Sequence, residues 1–88
     1  MKKKYIAKEG CVLLDLDLFS WGSMKIVRAD IDLNLINVLP DDALYFESLY
    51  KELKESGEYT AETIKARMFE EIQTRGYSTD NLVEPIIY

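Results

Sequence analysis

Two short segments of this chain repeat one pattern: Leu14-Asp15-Leu16-Asp17-Leu18 and Asp30-Ile31-Asp32-Leu33-Asn34-Leu35. Apolar and polar residues alternate with a period of two. That is the repeat of a strand with one dry face and one wet face. Side by side, two such strands place Asp15, Asp17, Asp30 and Asp32 on a single outer surface. The pattern predicts a first strand over residues 12–19 and a second, long enough to bend, over residues 24–38. Ser20-Trp21-Gly22-Ser23 is the turn between them, with Gly22 able to take a positive φ.

The register follows from the same pattern. With Ser20 opposite Ser23, Leu16 faces Val27, Leu14 faces Ala29 and Val12 faces Ile31 on the apolar side. Asp15 faces Arg28 on the polar side. A slip of one residue would swing every aspartate into the core as an unpaired charge. Residues 5–7 read as a short edge strand, closed off by a turn at Glu9-Gly10.

Beyond Leu39-Pro40 the period changes. Asp41 is the expected N-cap of a helix over residues 42–56, and Asp42 adds favourable charge at its positive end. Phe46, Leu49, Tyr50 and Leu53 form its apolar stripe, and Gly57 stops it. Thr60 caps a second helix over residues 61–75, with Ala61, Ile64, Met68 and Ile72 as its stripe and Phe69 on the flank. Gly76 ends that helix, and Tyr77 folds back on Ile72 in a Schellman contact. Residues 78–83 read as one helical turn, and residues 86–88 as a short strand on the sheet edge.

The expected architecture is α+β: an antiparallel, hairpin-based sheet of two to four strands with two α-helices packed on one face. The 88 residues are expected to form one small domain behind a frayed basic terminus at residues 1–4. The single Cys11 excludes an internal disulfide. No apolar stretch follows Met1-Lys2-Lys3-Lys4 as in a signal peptide, and no segment has the roughly 20 apolar residues that span a bilayer. These features favour a reducing, cytoplasmic setting.

Composition removes most chemistry. Without histidine there is no imidazole base, no Ser-His-Asp triad and no His-containing zinc site. One cysteine cannot build a four-thiolate site. No Gly-rich phosphate loop and no EF-hand spacing occurs. Same-face aspartates on a strand lie about 6.5–7 Å apart, wide for one ion on a convex surface. The expectation is therefore a protein that is not an enzyme and takes no cofactor or metal.

The net charge is −5 and uneven. Four lysines against one glutamate leave the first ten residues at +3, so the rest carries −8. An acidic body repels phosphate at range, which disfavours direct nucleic-acid binding. The functional expectation is a small regulatory protein that occludes or bridges a protein partner. Its surface would be Asp15, Asp17, Arg28, Asp30 and Asp32, with Trp21 at the hairpin tip as an aromatic anchor. One version is mimicry of a phosphate backbone, and small phage and mobile-element proteins often have this size and charge. Two alternatives stand beside it. Helix–Gly–Thr–helix over residues 53–68 has the layout of a helix-turn-helix DNA-binding regulator, although Glu62, Glu70 and Glu71 offset Lys65, Arg67 and Arg75. The other is a homo-oligomer, such as a dimer, paired through a sheet edge or the C-terminal strand.

Overall fold

The structure, a computed structural model, describes residues 2–20 and 24–88. Its elements in chain order are β1 (Lys3–Ile6), β2 (Val12–Asp15), β3 (Ile26–Ala29), β4 (Leu35–Val38), α1 (Pro40–Ser56), α2 (Ala61–Thr74) and β5 (Ile86–Ile87). The α+β class holds, with antiparallel sheets and two helices. The strand pairing differs from the expected hairpin.

The described residues form two sheets. One has the order β3-β1-β5, the other is the ribbon β2-β4. β2 pairs with β4, setting Val12 opposite Val38, Leu14 opposite Ile36 and Asp15 opposite Leu35. β3 pairs with β1, setting Lys4 opposite Arg28, Tyr5 opposite Val27 and Ile6 opposite Ile26. The expected facing pairs Leu16–Val27, Leu14–Ala29, Val12–Ile31 and Asp15–Arg28 are therefore not formed. The reason is a break in the second segment. Asp30 and Ile31 bend and residues 32–34 are irregular, so the stretch read as one long strand is two strands in different sheets. The expected turn falls largely on residues 21–23, outside the described residues. Among the described residues a single bridge, with the Leu13 amide donating to the Met24 carbonyl at 2.9 Å, joins β2 to the approach of β3. β1, expected at an edge, is the central strand of its sheet, because β5 adds to its other side.

The ribbon β2-β4 is buried on both faces. Val12, Leu14, Ile36 and Val38 point to the helices and join Phe46, Leu53, Ile64, Met68 and Ile72 in the main core. Leu13 and Leu35, one residue out of phase, point the other way and form a second core with Tyr5 and Val27. The layers run helices, ribbon, three-stranded sheet. A strand covered on both faces reads as a continuous apolar run, and Val12-Leu13-Leu14 is such a run. Each side chain so buried contributes about 1.5–3 kcal/mol, which is why the second core overrides the simple in-out alternation.

The helices follow local signals with one change. α1 begins at Pro40, which suits the first helical position because its missing N–H has no intrahelical partner there. Leu39 is the N-cap and no side chain caps the end, so Asp41 lies in the first turn and is not the cap. The Leu39 amide is instead satisfied at long range, donating to the Tyr77 hydroxyl at 3.1 Å. α2 starts as expected, with the Thr60 hydroxyl accepting from the Thr63 amide at 3.2 Å. It ends in the expected Schellman pattern: Gly76 donates to the Gln73 carbonyl and Tyr77 to the Ile72 carbonyl, with Gly76 at φ 92°. Residues 78–83 form no helical turn. Val83 donates to the Leu35 carbonyl at 2.8 Å on the way to β5.

Candidate interaction surface

The residues expected to share an acidic face are separated. Asp15 is 2% exposed. Its Oδ1 accepts from the amides of Asp17 at 2.7 Å and Leu18 at 2.8 Å. The carboxylate organises the loop after β2 and is withdrawn from any partner. Phe19 closes this loop at φ 50°. A non-glycine residue in the left-handed region costs about 1–2 kcal/mol. The cost is offset because the turn drives the Phe19 ring into the main core, 5.1 Å from Tyr50 and 6.3 Å from Phe69 between centroids.

Asp17 is exposed but engaged. Lys65 on α2 approaches its Oδ1 at 3.1 Å and the Asn34 side-chain Nδ2 donates to its Oδ2 at 3.1 Å. The Lys65 bond, against opposing burial, holds the Asp17 carboxyl below the usual aspartate range. Asp32 lies in the loop after β3 and accepts from Lys3, and this bond raises the Lys3 ammonium pKa. Asp30 is exposed just past the end of β3. Trp21 lies outside the described residues. The four aspartates thus occupy a buried loop cap, a helix-side ion pair and two positions at the far end of β3. Among the described residues, no three carboxylate or thiol groups are placed to hold a metal ion.

Arg28 marks what the fold assembles in place of that face. In an antiparallel pair, directly opposite residues project to the same side. One row across the three-stranded sheet is therefore Ile86, Lys4, Arg28, and the next is Ile6, Ile26. The inner side of the same strands carries Tyr5 and Val27, both buried. Among the described residues no layer covers the outer side: Ile6 is 43% exposed, Ile26 44%, Ile86 54% and the neighbouring Tyr88 58%. Tyr88 lines two small clefts, of about 240 and 270 Å³, with Lys2, Lys4, Arg28, Ala29, Asp30 and Ile86.

Lys4 and Arg28 stand directly opposite each other with like charge, an arrangement that destabilises a sheet. Among the described residues neither has an ion-pair partner. In a chain with a −5 net charge, a basic pair with no ion-pair partner among the described residues, set amid exposed isoleucines, is an exception that folding itself does not require. Sequence reading missed the grouping because it depends on β1 and β3 being neighbours, and they are separated by all of β2.

A second concavity, of about 390 Å³, lies where Phe19, Tyr50 and Ile64 meet Asp17, Lys54 and Lys65. Its floor belongs to the main core, and Lys65 is already matched by Asp17. No helix among the described residues is long and apolar enough to cross a membrane. Compared with known proteins, the chain matches no family model, no curated protein and no solved structure.

Proposed function

We propose that this chain is a non-enzymatic, cytoplasmic protein-binding protein that occludes or bridges a protein partner. The contact is the outer face of β3-β1-β5, and the complementary surface is acidic and bears aliphatic side chains. The observation that carries this reading is the Lys4–Arg28 pair, facing outward with no ion-pair partner among the described residues, beside Ile6, Ile26 and Ile86. Opposite charge on a partner relieves the repulsion between the two cations, steers the approach and fixes orientation. Burial of the isoleucines supplies the apolar part of the contact.

A protein fits this face better than a nucleic acid. The residues after the tenth carry −8, which repels a polyphosphate at range. The face offers three isoleucines and one tyrosine, whereas base stacking needs aromatic platforms. The helix-turn-helix alternative gains no support from α2. Each of its basic residues is engaged by a carboxylate: Lys65 by Asp17, Arg67 by Glu70, and Arg75, just past its end, by Asp42.

The test is a double charge reversal, Lys4→Glu with Arg28→Glu. It replaces one like-charged pair by another, so folding stability is expected to change by less than about 1 kcal/mol. Proteins captured from the native host by the unsubstituted chain are compared with those captured by the double variant, using quantitative mass spectrometry. The expected result is selective loss of an acidic partner whose capture also weakens with salt. An identical captured set, from a variant shown to be folded, refutes the assignment of this face.

A further inference from the structure

The backbone of β3 adds a recognition mode to this reading, on which the inference rests. Residues of an antiparallel strand alternate between bonding to one neighbour and to the other. Ala7 donates to the Lys25 carbonyl at 2.8 Å. With the β1–β3 register, this assigns the backbone groups of Lys25, Val27 and Ala29 to β1. The groups of Ile26 and Arg28 point away from β1. β3 is the outer strand of its sheet, and among the described residues nothing bonds to the outward N–H and C=O of either residue. Both residues are exposed. Past Met24, whose carbonyl on this same edge accepts from Leu13, the edge presents, among the described residues, two free donors and two free acceptors, flush with the basic and aliphatic face.

We infer that this edge takes up an extended acidic segment of the partner by strand addition, extending the sheet to β3-β1-β5 plus one foreign strand. Main-chain bonds to Ile26 and Arg28 supply affinity, and alternate side chains of the incoming strand supply selectivity. A carboxylate on the outer face opposite Arg28 meets both Arg28 and, one strand further, Lys4. An aliphatic residue opposite Ile26 extends the Ile6–Ile26 row. A second copy of this chain fits the same edge poorly. Antiparallel pairing of β3 with itself about Val27 sets Ile26 against Arg28 twice and gathers two Arg28 and two Lys4 on one outer face. Charged residues on an edge strand block such self-pairing while leaving the edge open to a strand of opposite sign.

The probe is the synthetic ten-residue peptide Thr-Val-Thr-Glu-Thr-Val-Thr-Glu-Thr-Val, which sets valine and glutamate two positions apart on one face, with lysine in place of glutamate as control. Binding to the full chain is followed by amide hydrogen exchange in nuclear magnetic resonance. The acidic peptide is expected to slow exchange at Ile26 and Arg28 by at least about tenfold, with little change at Val27, which already bonds to β1. The lysine peptide is expected to leave all three unchanged. Ile26→Pro removes one outward donor while keeping every charge, and proline is tolerated where the missing N–H faces solvent on an edge strand. It is expected to weaken acidic-peptide binding at least about tenfold. Strand addition is overturned if the acidic peptide does not bind at millimolar concentration, if it binds without protecting Ile26 and Arg28, or if folded Ile26→Pro binds it as well as the parent. Should Ile26→Pro fail to fold, the exchange pattern of the unsubstituted chain decides. Any of these failures leaves the face assignment standing, because that is judged separately by the Lys4→Glu/Arg28→Glu captures.

Discussion

Replacing Asp15 with alanine separates the observed strand pairing from the hairpin that the sequence suggests. The carboxylate is 2% exposed and one oxygen holds the amides of Asp17 and Leu18. Alanine removes both acceptances at once. A hydrogen bond to a charged group contributes about 1.5–3 kcal/mol. The two amides belong to exposed residues, so water recovers part of that, and the net loss for Asp15→Ala works out at about 2 kcal/mol. Asp15→Asn leaves an acceptor oxygen in place and should cost under about 1 kcal/mol. In the hairpin, Asp15 would instead face Arg28 in water. Removing either partner would then cost the same small amount, about 0.2–1 kcal/mol, and the double variant would cost less than the sum. In the observed fold Arg28 faces Lys4, so Arg28→Ala is neutral or slightly stabilising and adds independently to Asp15→Ala. Urea titrations of the parent, Asp15→Ala, Asp15→Asn, Arg28→Ala and the double variant, compared at equal m-values, give the energies. Equal losses for Asp15→Ala and Arg28→Ala with strong coupling between them would refute the two-sheet pairing.

Two further expectations concern the rest of the fold. Leu13 is fully buried between the ribbon and the three-stranded sheet, so Leu13→Ala should cost about 2–5 kcal/mol by chemical denaturation, and a loss below about 1 kcal/mol would mean that its side chain is in water. Asp42, at the start of α1, accepts from the Tyr77 hydroxyl and from Arg75 at 2.7 Å. The Tyr77 bond first, and Arg75 after it, hold its carboxyl below the usual range against opposing burial. A carboxyl depressed in the folded state contributes stability that is fully present above its ordinary value, about 3.9, and lost as pH falls through the lower folded one. Urea midpoints between pH 5 and pH 2 should therefore fall less steeply for Asp42→Asn than for the parent, and parallel curves would exclude Asp42 as a source of the acid sensitivity.

The helices were legible because their signals are local. The stripe, the Thr60 cap and the Gly76 stop each depend on residues three to six positions away, and they appear as the spacing predicts except that Ala61, expected in the stripe with Ile64, Met68 and Ile72, is exposed at the first turn. The start of α1 was misplaced by two residues. Asp41 has the chemistry of a cap, but Pro40 already has helical geometry and a distant hydroxyl, that of Tyr77, satisfies the Leu39 amide. The basic face was not legible, since it requires Lys4, Arg28 and Ile86 to meet from three remote segments.

Sequence alone therefore determined the α+β class, both helices, a strand near residues 12–15 and extended chain within residues 24–38, which it read as one strand and not two. Only the tertiary structure decided which strand lies beside which. Period-two alternation specifies which side chains share a face, but it does not say whether the opposite face meets water or another layer. Val12-Leu13-Leu14 has enough apolar surface to be covered twice, and once Leu13 and Leu35 found Tyr5 and Val27, the carboxylate of Asp15 was carried inside with them. Two backbone amides of its own loop turn inward to meet it there.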